Sequence, residues 1–347
     1  MAVVPGGSGE AGRGWKGYGK RSRMLCETTS MEDAIGMPEH LPVMVGEVLA
    51  FLAPGAGGCY LDTTFGGGGH TRAILEAEPT ARVVAADWDP DAGERAKGFD
   101  REWGERFEFV DAGLAELSYL GDRRFQGAVL DLGLSSYQIE TANRGFSFKR
   151  LGPLDMRMDP RRGVAASIFL ENGSRDDLVR AVRDFGEEPS WRRVVEAIQG
   201  ARGTGSLADT VRFAELVASA VPFRSPGRGR ARIHPATRTF QGVRMAVNDE
   251  LENIETGLTE VFARLVPGGV LTAISFHSLE DRIVKRRFRR WAGMPETRFD
   301  GRPQQERSKC GELLTRRPLK SSPREAARNP RSRSARLRAI RKLGEAV

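Results

Sequence analysis

Residues 59–75, CYLDTTFGGGGHTRAIL, decide the fold. A short apolar run stops at Asp62, four glycines follow at 66–69, and a helix is expected to open near His70. Glycine has no side chain to hold a ligand away from the backbone, so such a turn permits close approach. The helix behind it offers unpaired N–H groups and the positive end of its dipole. A second apolar run, RVVAAD (82–87), also ends in an acid, and Asp87 stands 18 residues beyond Gly69. In nucleotide-binding α/β sheets a carboxylate meets ribose hydroxyls at a spacing of about 20. Strand, glycine turn, helix, strand and acid, in that order, point to an adenosine-containing cofactor.

The loop narrows the choice of cofactor. A dinucleotide fingerprint needs GxGxxG, with its third glycine inside the helix. The position three after Gly69 is Arg72, so the strict pattern is absent, and no GxxxxGK[ST] occurs either. A crowded glycine turn without a pyrophosphate fingerprint fits S-adenosylmethionine better than NAD. The plainer reading, a flexible linker that binds nothing, is disfavoured by the apolar flanks and by Asp87.

Further strands are expected at FEFV (107–110), GAVLDL (127–132) and VLTAISF (270–276), with SARLRAI (334–340) as one more. One apolar stripe runs through Phe240, Val243, Val247, Leu251, Ile254, Leu258, Val261 and Leu265 in steps of three and four. It predicts a single long helix before the turn at 267–269. Strands alternating with helices predict an α/β fold with a doubly wound, mostly parallel sheet.

One interval breaks the alternation. From Asp131 to Val270 is 139 residues, whereas a strand–helix–strand unit takes about 30. Inside it, Ser174 with Asp177 makes a capping box, Ser190 precedes Val194, Val195 and Ile198, and 207–221 reads as a third helix. The chain therefore divides into a disordered tail (1–38), a first part of the core (39–141), an inserted helical domain (142–233) and a second part of the core (234–347). The stretch RSPGRGRAR (224–232) reads as a mobile hinge where the insert ends.

Hydrophobic residues make up 39% of the 347, and no unbroken apolar run approaches the length of a membrane span. No signal-peptide pattern opens the chain. Residues 1–38 are glycine-rich, and a transit peptide or a late start at Met24, Met31 or Met37 is open there. Cys26, Cys59 and Cys310 show no paired spacing, which fits a cytoplasmic protein without a zinc site. The histidines at 40, 70, 234 and 277 show no metal-ligand spacing either.

The net charge of +8 is distributed unevenly. From Arg282 onward there are 21 Lys and Arg against 6 Asp and Glu, which leaves 33 against 40 for residues 1–281. A mildly acidic body with a strongly basic C-terminal segment is a footprint for polyanions, most often nucleic acid. The plainer reading is a solvated tail.

Ligands of open α/β sheets sit beyond the carboxyl ends of the strands. Asp62, Asp87, Asp131, Ser275 and His277 lie at such ends. The loop DLGLSSYQIE (131–140) adds Ser135, Ser136, Tyr137 and Gln138. Asp131 admits either a ligand contact or a helix cap, and capping is favoured for Ser135 and Ser136. ISFHSLED holds Ser, His and Asp together, but no GxSxG elbow is present, so a hydrolase triad is not indicated. None of the cysteines follows a strand suited to pyrimidine C5 chemistry. Direct attack by a substrate heteroatom on a sulfonium methyl remains, which needs alignment and removal of a proton. A nucleotide-binding oxidoreductase and a non-catalytic RNA-binding ribosome-assembly factor are the rival readings.

The blocks DTTFGGGGH, VLDLGLSS, RGFSF with GPLDMRMDP (144–160), HPATRTFQGVRMAVNDEL (234–251), ISFHSLEDRIVK (274–285) and NPRSRSARLRA (329–339) occur in this order. Together they closely resemble the bacterial ribosomal RNA small-subunit methyltransferase H family, also called MraW. The resemblance implies a class I S-adenosylmethionine-dependent methyltransferase sheet interrupted by a helical domain. It implies methylation of the exocyclic N4 of one cytidine in the decoding region of 16S rRNA, within the small ribosomal subunit, with no metal and no membrane. The cofactor contacts it implies are Gly68, Gly69, His70, Asp87, Leu114, Asp131 and Gln138. Ser135, Ser136 and His277 are the candidates beside the reacting amino group. Tyr137 stands where members usually carry proline, and Leu114 where phenylalanine is frequent.

Overall fold

The structure, a computed structural model, describes residues 41–222 and 234–344. The expected tail at 1–38, Cys26, His40 and the hinge at 224–232 lie outside the described residues. Eight strands form one sheet: β1 (Cys59–Asp62), β2 (Arg82–Asp87), β3 (Phe107–Asp111), β4 (Phe125–Asp131), β5 (Leu265–Ser275), β6 (Gly311–Leu313), β7 (Leu319–Lys320) and β8 (Arg336–Lys342). Their order is β3-β2-β1-β4-β5-β8-β6, with β7 also pairing β8. The neighbours from β3 to β5 are all parallel. Both faces of this centre are covered, which is why Ala128, Val129, Leu130, Leu271 and Ile274 form unbroken apolar runs at 0% exposure.

Helix α1 (Val45–Leu52) precedes β1, α2 (Gly69–Ala77) joins β1 to β2, and α3 (Pro90–Trp103) joins β2 to β3. Asp89 caps α3 through its side chain, with Pro90 at the first helical position. The chain leaves β1 towards β2 on one side, whereas β4 lies on the other, so a switch point opens over the carboxyl ends of β1 and β4.

Between β4 and β5 come α4 (Ser136–Glu140), α5 (Ala166–Asn172), α6 (Arg175–Val179), a π-helical turn (Arg180–Phe185), α7 (Trp191–Gly200) and α8 (Thr210–Ala220). The expected capping box of Ser174 and Asp177 starts α6. The third helix begins at Thr210 rather than 207, because the Asp209 side chain accepts from the Arg212 N–H. Leu170, Leu178, Val194, Ile198, Phe213 and Val217 share an apolar cluster separate from those under the sheet. Phe240 and Val243, on α9 (Ala236–Val247), join the same cluster.

One expectation needs correction, and two open points are settled. The stripe from Phe240 to Leu265 is two helices, α9 and α10 (Glu250–Ala263), with Leu265 already in β5. Asp249 between them is left-handed at φ 47°. Asn248 causes the break: its Oδ1 accepts from Met158 N–H and its Nδ2 donates to Met156 O, so a buried clasp to the 144–160 block replaces helix continuation. The last strand runs antiparallel to β5, since apolar patterning carries no strand direction. The basic segment contains α11 (Ser278–Trp291), α12 (Pro323–Arg328) and three strands, which removes the plainer reading of a solvated tail. Among the described residues no helix is long and apolar enough to cross a membrane.

Candidate active site

The glycine turn is shaped by the protein's own side chains. A Cβ on Gly67 would lie 2.7 Å from the Tyr137 ring, and one on Gly69 would lie 2.6 Å from Pro42. The tight packing expected against a ligand is thus largely packing against Tyr137, Pro42 and the Phe65–Phe99 pair. A Cβ on Gly66, with φ +52°, would meet only ordinary contacts, Ser135 Cβ at 3.5 Å and Thr64 O at 3.8 Å. Arg95 stacks on the Tyr137 ring at 4.2 Å and donates to Gly66 O, which ties Tyr137 over the turn.

Asp87 closes one wall. Its Oδ2 accepts from Gly66 N–H at 2.8 Å and its Oδ1 from Asp89 N–H at 2.9 Å. Burial pushes its carboxyl up to about 6, against the pull of those two N–H groups. Each oxygen keeps a lone pair, so a diol could donate to both.

Beneath the turn lies a buried cluster. Asp62, 0% exposed, accepts from Thr64 N–H and the Thr71 hydroxyl. Burial pushes its carboxyl up. His70 Nε2 is 3.5 Å from Asp131 Oδ2. Burial disfavours the charged ring, but Asp131 and Asp62 outweigh it and hold His70 above its ordinary value. Thr64 accepts from Asp131 N–H at 2.7 Å, which fixes the start of the 131–140 loop. Asp131 Oδ1 is buried and has no hydrogen-bond partner among the described residues. A carboxylate oxygen left in that state costs about 1–3 kcal/mol or more. It is an acceptor waiting for a donor.

Ser135 caps α4, accepting from Gln138 N–H while Gln138 Oε1 accepts from Ser135 N–H. Gln138 Nε2 donates to Asp89 at 2.8 Å, so this amide braces the loop after β4 against the loop after β2. Arg144 clamps the same joint, donating to Asp89, Asp91 and the carbonyls of Arg157 and Met158. Arg161 reaches Asp111 at the end of β3 and Trp88 O at the end of β2. The RGFSF and GPLDMRMDP blocks therefore hold the strand ends together. Leu114 packs against α10 where a Cβ on Gly257 would lie 2.2 Å away, so its position is set by that helix.

His277 is a helix cap. Its Nδ1 accepts from Glu280 N–H, and Glu280 Oε2 accepts from the N–H groups of Phe276 and His277. His277 Nε2 and Glu280 Oε1 lie 3.0 Å apart. Burial would raise the Glu280 carboxyl, but His277, Arg244 and the Phe276 N–H hold it below its ordinary value. Glu250 brings a third group within 4.8 Å of these, a set that the spacing of the histidines did not suggest. Both Glu250 oxygens already pair with Arg244 at 2.7 and 2.8 Å. Ser136 accepts from Arg331, whose guanidinium burial holds below its ordinary value. That contact brings the NPRSRSARLRA block to the 131–140 loop.

The structure thus gathers Gly66, Gly68, His70, Asp87 and Asp131 around one crevice, with Ser135 and Gln138 as its brace. Thr64, Thr71, Asp89, Arg144 and Arg331 were missed, because their partners are 9 to 195 residues away in sequence.

Comparison with known proteins points to one family. A ribosomal RNA small subunit methyltransferase H of Thermomicrobium roseum is 43% identical over 327 residues, which is 90% of this chain and 96% of that protein. One of Nitratidesulfovibrio vulgaris strain DP4 is 45% identical over 314 residues, 88% of this chain and 95% of its own length. The model of the MraW methylase family matches residues 37–343. With the glycine turn, the acid after β2 and the acceptor after β4 in place, the chain belongs to the MraW methylase family.

Proposed function

We propose that this class I, S-adenosylmethionine-dependent methyltransferase methylates the exocyclic N4 of a cytidine in the decoding region of 16S rRNA, in the small ribosomal subunit of the cytoplasm. The observation that carries the reading is the buried, unpartnered Oδ1 of Asp131 at the mouth of the crevice. S-adenosylmethionine, when bound, supplies an electrophilic methyl group. Asp87 accepts the ribose hydroxyls, the turn at Gly66 lets the nucleoside lie close, and His70 stands 3.5 Å from Asp131 at Oδ2, the oxygen other than Oδ1. An exocyclic amino group is a poor nucleophile because its lone pair is delocalised into the ring. Asp131 Oδ1, accepting one amino hydrogen, draws the nitrogen towards tetrahedral geometry and takes up the proton it sheds. Gln138 and Ser135 act by positioning that loop. The division into a core (39–141 and 234–347) and a helical insert (142–233) is part of this proposal, supported by the separate apolar cluster of the insert.

The test is transfer of label from methyl-labelled cofactor to small subunits whose target cytidine is unmodified. After digestion to nucleosides, N4-methylcytidine should carry the label. Binding without transfer would instead support an assembly factor.

Two further outcomes are expected. Protonated Asp87 loses its acceptor capacity, so S-adenosylhomocysteine should bind about tenfold more weakly at about pH 5 than at about pH 8. The sign follows from a carboxyl raised to about 6. The same shift makes the apo fold hold that proton more tightly than the unfolded chain, so Asp87 costs stability as pH rises from 3.8 towards 6. Calorimetry across that range reads the first effect; a flat profile counts against the ribose contact. RNA affinity should fall with salt at a logarithmic slope of about −0.7 per phosphate engaged. Filter binding at several salt concentrations measures it, and a slope near zero would show that the basic segment grips no phosphates.

A further inference from the structure

The loop that follows α11 holds an aromatic ring in water. Phe299 is 80% exposed, the largest exposure among the large hydrophobic residues described. It is not exposed through slackness. Asp300 beside it accepts from Glu296 N–H, from Arg302 and from Arg307, whose own side chain is 4% exposed. Arg307 also donates to the carbonyls of Asp300 and Arg302, and Phe299 N–H donates to Thr297 Oγ1. The backbone on both sides of Phe299 is therefore fixed by a knot of charge-assisted bonds, which a random surface loop has no need of. The Arg298 guanidinium lies over one face of the ring at 4.5 Å, leaving the other face open. Among the described residues no carboxylate pairs with Arg298 or Lys309, and the Lys309 backbone pairs with Ala292 at the base of the loop.

We propose that Phe299 is a stacking platform for an unpaired base of the RNA substrate, with Arg298 and Lys309 meeting the flanking phosphates. This rests on the proposed RNA substrate. An exposed flat ring with Arg298 on one face, and the exposed Lys309 at the base of the same loop, suits a single-stranded nucleotide, because every base has a π-face and each linkage carries a charge. A protein partner docking on Phe299 would need a continuous apolar surface around it, whereas Arg298 precedes the ring and Asp300, Gly301 and Arg302 follow it, with Met294 as the loop's other exposed large apolar side chain.

The test uses the full chain and a short single-stranded RNA of mixed sequence at fixed salt. Phe299→Ala should weaken RNA binding by about 5- to 100-fold while leaving S-adenosylhomocysteine affinity unchanged. Phe299→Leu should be nearly as weak, since it keeps apolar bulk but loses the stacking face. Phe299→Trp should retain affinity, and its added emission should be quenched by RNA. Alanine binding RNA as tightly as the unaltered chain overturns the platform, and so does leucine retaining full affinity, which would mark an apolar docking contact. If the unaltered chain binds and methylates RNA in the same experiment, only the platform falls. If the unaltered chain transfers no label to small subunits either, the proposed function falls with it.

Discussion

Replacing Asp131 with Asn should lower turnover by about 10²- to 10⁴-fold, the range over which a positioned proton acceptor acts. S-adenosylhomocysteine should still bind within a few-fold of the unaltered chain. Asn keeps the size of the side chain, and its oxygen can still face His70 Nε2, which stands 3.5 Å from the carboxylate. The backbone N–H of residue 131 remains held by Thr64. What is lost is a carboxylate oxygen that is buried and has no hydrogen-bond partner among the described residues. Single-turnover transfer to small subunits, with cofactor affinity measured in parallel, separates two roles. Loss of affinity with normal turnover would make Asp131 a cofactor ligand, as the family resemblance implies, and would remove the proton role.

The local parts of this site were legible in the sequence; the long-range ones were not. Asp62, Asp87 and Asp131 end β1, β2 and β4 as expected, because a strand end is marked by an apolar run meeting an acid. The cap of α4 by Ser135 was favoured from the loop's composition, and it forms. His277 was different: Ser, Thr, Asp and Asn are the usual caps, so a histidine accepting from Glu280 N–H was not anticipated. The resemblance implies a cofactor contact for Gln138; its bond to Asp89, 49 residues away, was not legible in the sequence. The basic segment misled in another way. Charge counting treats Arg338 like any other cation, yet it is buried in β8 and paired with Asp281 of α11. Only the exposed cations, such as Arg298 and Lys309, remain available to phosphates.

Replacing Gly68 with Ala should destabilise the fold by about 2–5 kcal/mol and lower the melting temperature by about 3–7 °C. Two separate effects add. Gly68 has φ +79°, a conformation that costs a side-chain-bearing residue about 1–2 kcal/mol. Its new Cβ would also lie 2.3 Å from Phe99 Cζ and 2.9 Å from Phe65 Cε2, in a cluster where overpacking costs about 1–3 kcal/mol. Phe99 cannot simply swing away, because its ring meets Phe65 edge-on at 5.1 Å and packs on Phe107 at 5.4 Å. Any relief must push the turn towards the crevice, so cofactor affinity should fall with stability. Gly98 supplies the control. It lies inside α3 with nothing within 4 Å of a would-be Cβ, so Gly98→Ala should be stabilising by about 0.5–1 kcal/mol. Thermal melts of the two variants, each with and without S-adenosylhomocysteine, read both effects. If Gly68→Ala melts like the unaltered chain, neither the left-handed turn nor the ring packing beneath it holds the crevice open.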